Sequence, residues 1–193
     1  MNKITVFFQK PLFSNKRFIF AVWMLIALYV AVWHIFHGYS NNFLVFKGAF
    51  DHLVNQMNLY AEYPAEYRDN FYYGPIFSVL IAPFALLPSA IGNALWVFSL
   101  VFVLFYAIYR LPVAWHYRVI IFYIPLHDLF TSLLSVQTGS LVTTLIIGSY
   151  IAVKEGKDFW ATCFIALGFF IKLYPVIGLV FFLFSKNKWK FIA

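Results

Sequence analysis

Apolar residues run almost unbroken from Phe18 to Phe36. At about 1.5 Å per residue this stretch is long enough to cross bilayer hydrocarbon, and it predicts a first transmembrane helix over 18–36. It is too long for a secretory h-region, and His37-Gly38-Tyr39-Ser40 offers no small-x-small cleavage pattern. A more polar stretch follows, 37–72. Within it Phe43, Phe46, Phe50, Leu53 and Met57 recur at spacings of three and four, while Lys47, Asp51, Asn55 and Asn58 fall on another face. That spacing predicts an amphipathic helix in the membrane interface, with its Phe stripe in lipid and Ser40 or Asn41 as its cap. From Tyr73 onward the apolar runs return: Gly74 to Pro88, interrupted by Pro75 and Pro83, then Ile91 to Tyr109, Val119 to about Leu126, Ser140 to Val153, Phe159 to Ile171 and Tyr174 to Phe184. The expected fold is all-α: a polytopic transmembrane bundle forming one integral membrane domain over 1–193, with 37–72 as external loop and 73–193 as further membrane helices.

Composition agrees. The chain is 63% hydrophobic and 11% charged, with a mean hydropathy of +0.81, against about 45–50% and about 25% for soluble domains. The net charge of +7 does not point to nucleic acid. Its cations fall in short clusters between apolar runs: Lys3, Lys10, Lys16 and Arg17; Lys154 and Lys157; Lys186, Lys188 and Lys190. Under the positive-inside rule these are cytoplasmic segments, which puts the N-terminus in the cytoplasm. The rule is obeyed throughout if Gly74 to Pro88 is re-entrant or juxtamembrane on the outer side. Arg110 and Arg118 are then cytoplasmic, His127 and Asp128 emerge outside, and Lys172 arrives at the outer end of its helix. Asp51, His127, Asp128, Gln137 and Lys172 thereby share one side of the membrane.

Lys172 carries the most chemistry. A lysine inside an apolar tract is costly and marks an interface or a polar cavity. Pro175 breaks the helix beside it, a setting suited to an anion. Gln137-Thr138-Gly139-Ser140 sits at a helix start, where backbone N–H groups favour an anion or where Ser140 simply caps the helix. His127-Asp128 reads either as a base pair or as a polar helix end, and Asp51 as a site carboxylate or a solvated charge. No Gly-rich nucleotide loop, nucleophile elbow or His/Cys metal spacing is present in the sequence, and no metal is expected. Cys163 is alone.

Three stretches together resemble glycosyltransferase family 87, the polyprenyl-phosphate-dependent mannosyltransferase-like proteins of the GT-C class. They are Asn42-Phe43-Leu44-Val45-Phe46-Lys47-Gly48-Ala49, with Asn58-Leu59-Tyr60, Tyr73-Gly74-Pro75 and Ala82-Pro83-Phe84 after it; Gln137-Thr138-Gly139-Ser140; and Ile171-Lys172-Leu173-Tyr174-Pro175, with Lys188-Trp189-Lys190. The resemblance implies a GT-C-like fold and a membrane hexosyltransferase in a bacterial plasma membrane. Such an enzyme takes a mannose-like sugar from a polyprenyl-phosphate donor, its co-substrate, and passes it to a glycan or lipid acceptor on the outer face. A first-loop carboxylate serves as base. By position Lys172 matches a donor-phosphate contact, Gln137 matches the family's Gln near the donor, and Asp128 matches an acidic residue of a second external loop; His127 and Asn42 are further candidate substrate-binding residues. Asn42 stands where many relatives carry Asp, and an amide cannot accept the proton, so Asp51 or Asp128 becomes the expected base. Gly139 stands where the pattern has Asn. Relatives are about twice as long, which implies that this chain is an N-terminal half. The alternatives are a non-catalytic or truncated membrane subunit and, with no inverted repeat evident, a transporter of lipid-linked solutes.

Overall fold

The computed structural model describes residues 10–192, with side chains to Phe191, and among them the regular structure is entirely helical. Two helices are long and apolar enough to cross a membrane: α1, Lys16–His37, and a later one, Ser89–Arg110. Each has 22 residues, about 33 Å. Asn15 caps α1 by accepting from the backbone N–H of Arg17 (2.8 Å) and Phe18 (3.4 Å). Helix α2, Asn41–Val54, follows after a turn at Gly38, whose φ of +89° suits glycine. Helix α3, Pro75–Ala85, has 11 residues, about 17 Å, too short to cross alone. Helix α4 is Ser89–Arg110.

Helices α1 and α4 are antiparallel. Near one end Trp23 and Phe105 meet edge to face with centroids 5.7 Å apart; near the other His34 meets Asn93. Next come α5, Trp115–Tyr123, and α6, Leu126–Leu134, bent by 44° at Ile124-Pro125. Together they are long and apolar enough to count as a third, broken span beside α1. Trp115 donates to the Ser14 carbonyl, Trp23 to the Phe122 carbonyl, and His34 Nε2 bonds the Leu134 carbonyl (3.0 Å). Helices α7, Gly139–Lys154, and α8, Asp158–Ile171, form a hairpin closed by a 3₁₀ helix, Tyr174–Phe184, and a short α9, Lys188–Ile192.

Two expectations change here. The Phe stripe of α2 faces inward: Phe43 and Phe46 are fully buried, and Phe46 packs on Phe77 with centroids 4.8 Å apart. Helix α3 covers the face assigned to lipid, because both elements are too short to satisfy their apolar surface alone. The short helix expected from Val119 to about Leu126 begins at Trp115 and ends at Tyr123, before His127-Asp128. The polar pair does not close the element: a second helix, bent from the first by 44°, starts at Leu126 and continues to Leu134 with Leu129 and Leu133 buried. The α3–α4 turn is tight: a Cβ on Gly92 would collide with the Phe84 carbonyl oxygen.

The termini sort by charge. Lys16, Arg17, Arg110, Arg118, Lys154 and Lys157 gather at one end of the bundle, with Arg110 paired to Glu155 at 2.8 Å. Asn41, Asn42, Asp69, Gln137 and Lys172 lie at the other.

Candidate functional site

At the end opposite the cations a hollow of about 480 Å³ opens where α1, α2 and α6 meet. Its walls are built from backbone carbonyls that side chains clamp. The Ser135 carbonyl accepts from Ser40 Oγ (3.0 Å) and Asn42 Nδ2 (2.7 Å), fastening the start of α2 to the end of α6. Ser40 sits at the cap position of α2 but makes no side-chain cap, its hydroxyl being spent on this clamp. His34, buried below, bonds Leu134 with Nε2, and its Nδ1 lies 2.9 Å from Asn93 Nδ2. Gln137 also lines the hollow.

The carboxylate in this hollow is Asp69. Asn41 Nδ2 donates to Asp69 Oδ2 (2.9 Å), while Asn41 Oδ1 accepts from the Arg68 backbone N–H (2.8 Å). One amide therefore fixes both the backbone and the side chain of the 68–69 stretch. Asp69 Oδ1 has no hydrogen bond among the described residues, and the side chain is exposed.

The loop carrying Asp69 is latched to α2. Buried His52 places Nε2 3.1 Å from Glu66 Oε2 and Nδ1 3.4 Å from the Tyr67 hydroxyl, and its ring lies 3.7 Å from that of Tyr63. Gly48 lets Tyr67 in: a Cβ there would lie 2.6 Å from Tyr67 Cε1. Burial, then the Glu66 carboxylate, then Tyr63 push the Tyr67 phenol up to about 12. The folded value lies above the unfolded one near 10, so the latch is intact below pH 10 and loosens as pH rises through 12. A tyrosinate absorbance titration is expected to lose one late transition in Tyr67→Phe.

A second hollow, about 560 Å³, surrounds Lys172. Helix α8 ends there with Lys172 in extended conformation, and the Gly74 N–H donates to the Ile171 carbonyl (3.3 Å). The ammonium lies 5.5 Å from the Tyr73 ring and 5.3 Å from the Tyr174 ring. No carboxylate pairs with it among the described residues. Tyr60 donates to the Tyr73 carbonyl (3.2 Å). Burial pushes the Tyr73 phenol up, the neighbouring Thr138 hydroxyl lowers it, and Tyr174 raises it again. Tyr73 and Thr138 are close but fall short of hydrogen-bond geometry, and Thr138 Oγ1 is buried without a partner. Tyr73 thus lines the Lys172 hollow and lies close to Thr138, the chain neighbour of Gln137. A Cβ on Gly74 would collide with the Phe170 carbonyl oxygen, a backbone atom that cannot swing aside. Gly74→Ala is expected to cost about 1–3 kcal/mol, read as a lowered melting temperature in detergent.

The structure brings Asn42 and Gln137 into one hollow and places Lys172 in the other. It brings the others into neither. Asp51 is exposed on the last turns of α2 and lines neither hollow. His127 and Asp128 lie in the first turn of α6. Phe130 packs on Tyr29 with centroids 5.8 Å apart. Tyr29 is about 12 Å short of the C-terminal end of α1. Asp128 therefore lies along the middle of the bundle, in a separate groove with Ser132 and Thr143, not at the end that carries the hollows. Asp69 is the residue that sequence spacing did not single out; Asn41 was expected only as a helix cap and instead holds the 68–69 stretch, and Tyr73 entered only as part of a motif stretch. Asp69 is 28 positions from its partner Asn41 in a loop without periodicity, and no local signal marks it. Among the described residues no three His, Cys, Asp or Glu side chains gather as a metal cluster.

The all-helical architecture with its long apolar helices is that of a membrane protein. The sequence profile of glycosyltransferase family 87 matches residues 71–193, which include Tyr73, Gly74, Gln137 and Lys172. The chain belongs to that family and is a membrane glycosyltransferase. No curated protein and no solved structure matches it significantly.

Proposed function

We propose that the protein transfers a hexose, mannose-like, from a polyprenyl-phosphate donor to a glycan or lipid acceptor at the outer end of the bundle, with the N-terminus of α1 cytoplasmic. The observation that carries this is the pair of hollows at the same end of the bundle. One holds a carboxylate with a free oxygen, the other an ammonium with no acidic partner. In this reading Asp69, in place of Asp51 or Asp128, takes the proton of the acceptor hydroxyl. The acceptor oxygen forms the bond to the anomeric carbon as the bond from that carbon to the phosphate oxygen breaks. Lys172 stabilises the charge gathering on the departing polyprenyl phosphate. Asn42 holds Ser135 and stays outside the proton transfer, while Gln137 lines the sugar side. Bilayer lipid flanks the apolar helices and delivers the polyprenyl tail.

The test supplies membranes containing the protein with a radiolabelled polyprenyl-phosphate hexose or the matching nucleotide sugar. Transfer from the lipid-linked donor alone is expected. Transfer from the nucleotide sugar alone overturns the donor assignment.

A further inference from the structure

At the basic end of the bundle, far from both hollows, an apolar groove of about 470 Å³ runs between α4, α7 and α8. Its mouth carries Arg110, Glu155 and Lys157. Arg110 bonds Glu155 at 2.8 Å and Lys157 bonds it at 2.7 Å, so one carboxylate is shared between two cations and the mouth stays positive. Hydrogen bonds from Lys157, then Arg110, hold the Glu155 carboxyl below its usual range. From Arg110 the groove reaches along α4 to Phe102, about 12 Å. Along the way it is lined by Tyr106, Leu145, Gly148 and Phe164, with exposed Trp160 at its side.

We propose that this groove is a binding site for one anionic glycerophospholipid of the leaflet at the basic end. An acyl chain lies along Phe102 and Gly148 and the phosphodiester sits at Arg110 and Lys157. Charge complementarity carries the assignment. Lys16, Arg17, Arg118 and Lys154 crowd the same end, so an anionic headgroup is drawn to it. The depth of the groove offers Thr144 as its only polar side chain, which suits hydrocarbon, and the aromatic residues at the mouth suit the headgroup boundary. The phosphate competes with Glu155 for the same two cations. This site is independent of the sugar-transfer reading.

The test titrates the purified, delipidated chain with dioleoyl phosphatidylglycerol or dioleoyl phosphatidylcholine and counts bound lipid by native mass spectrometry. Wild type is expected to retain phosphatidylglycerol about fivefold better, the scale of one uncompensated surface cation. The double variant Arg110→Gln/Lys157→Gln is expected to lose the preference and Glu155→Gln to increase it. Gly148→Leu, which fills the groove beside Phe164, is expected to lower retention of both lipids. All three charged groups are part-exposed, so the charge variants fold and decide the matter even if Gly148→Leu does not. Equal retention of both lipids by wild type, the result if a protein helix occupies the groove, overturns the proposal. A preference that survives the double variant overturns it as well.

Discussion

Asp69→Asn is expected to lower sugar transfer by roughly 10²–10⁴-fold, the range lost with a positioned general base. The amide keeps the size of the carboxylate and still accepts from Asn41 Nδ2, so the 68–69 stretch stays in place. What disappears is the acceptor for a proton. The donor KM should hold while kcat falls, since Asp69 lines the acceptor-side hollow and not the one around Lys172. Asp51→Asn and Asp128→Asn serve as controls, on exposed carboxylates that line neither hollow. Full activity in Asp69→Asn, with a loss in either control, would return the base to the residue lost. The assay is initial-rate transfer from a radiolabelled polyprenyl-phosphate hexose in reconstituted vesicles.

Lys172→Ala carries the second largest effect, roughly 10²–10³-fold in kcat/KM, the scale of removing one group aimed at developing charge. The ammonium is held between Tyr73 and Tyr174 with no carboxylate to compete for it. Its charge is therefore available to a phosphate. Lys172→Arg should recover part of the activity, because it restores the cation while changing its shape. Removal of the aromatic wall by Tyr73→Ala is expected to open the Lys172 hollow and lower transfer, whereas Tyr174→Phe keeps the ring under Lys172 and should cost little. Unchanged transfer in Lys172→Ala would remove the donor phosphate from this hollow. Rates measured alongside donor binding by filtration separate lost affinity from lost chemistry.

The two carboxylates singled out from the chain, Asp51 and Asp128, illustrate where local reasoning reaches its end. Asp51 was placed by its position on an amphipathic helix, and that helix forms, Asn41–Val54, close to where the Phe spacing puts it. Periodicity states that one face is apolar but not what covers it. Here α3 covers it, and Asp51 is left exposed beyond the hollow. Asp128 was placed by hydropathy, which reads His127-Asp128 as a helix end. A bend at Pro125 leads into a second helix, with Leu129 and Leu133 buried, that continues past it.

Composition, apolar run lengths and charge clusters determined by themselves that this is a multi-helix membrane protein, that Phe18 to Phe36 forms its first long helix, and that Lys172 ends a helix at a break. These properties depend on the transfer energy of contiguous residues and on the backbone restrictions of proline, both local along the chain. The motif stretches around Tyr73, Gln137 and Lys172 carried the family resemblance for the same reason. Only the tertiary structure decided that Asn41 holds Asp69, that the Ser135 carbonyl ties α2 to α6, and that Lys172 sits over the Tyr73 ring. Those contacts join residues 28 to 99 positions apart through single hydrogen bonds and ring edges. No periodicity encodes such partners, because they are chosen by how short helices cover one another's apolar faces once the long helices α1 and α4 have set the frame.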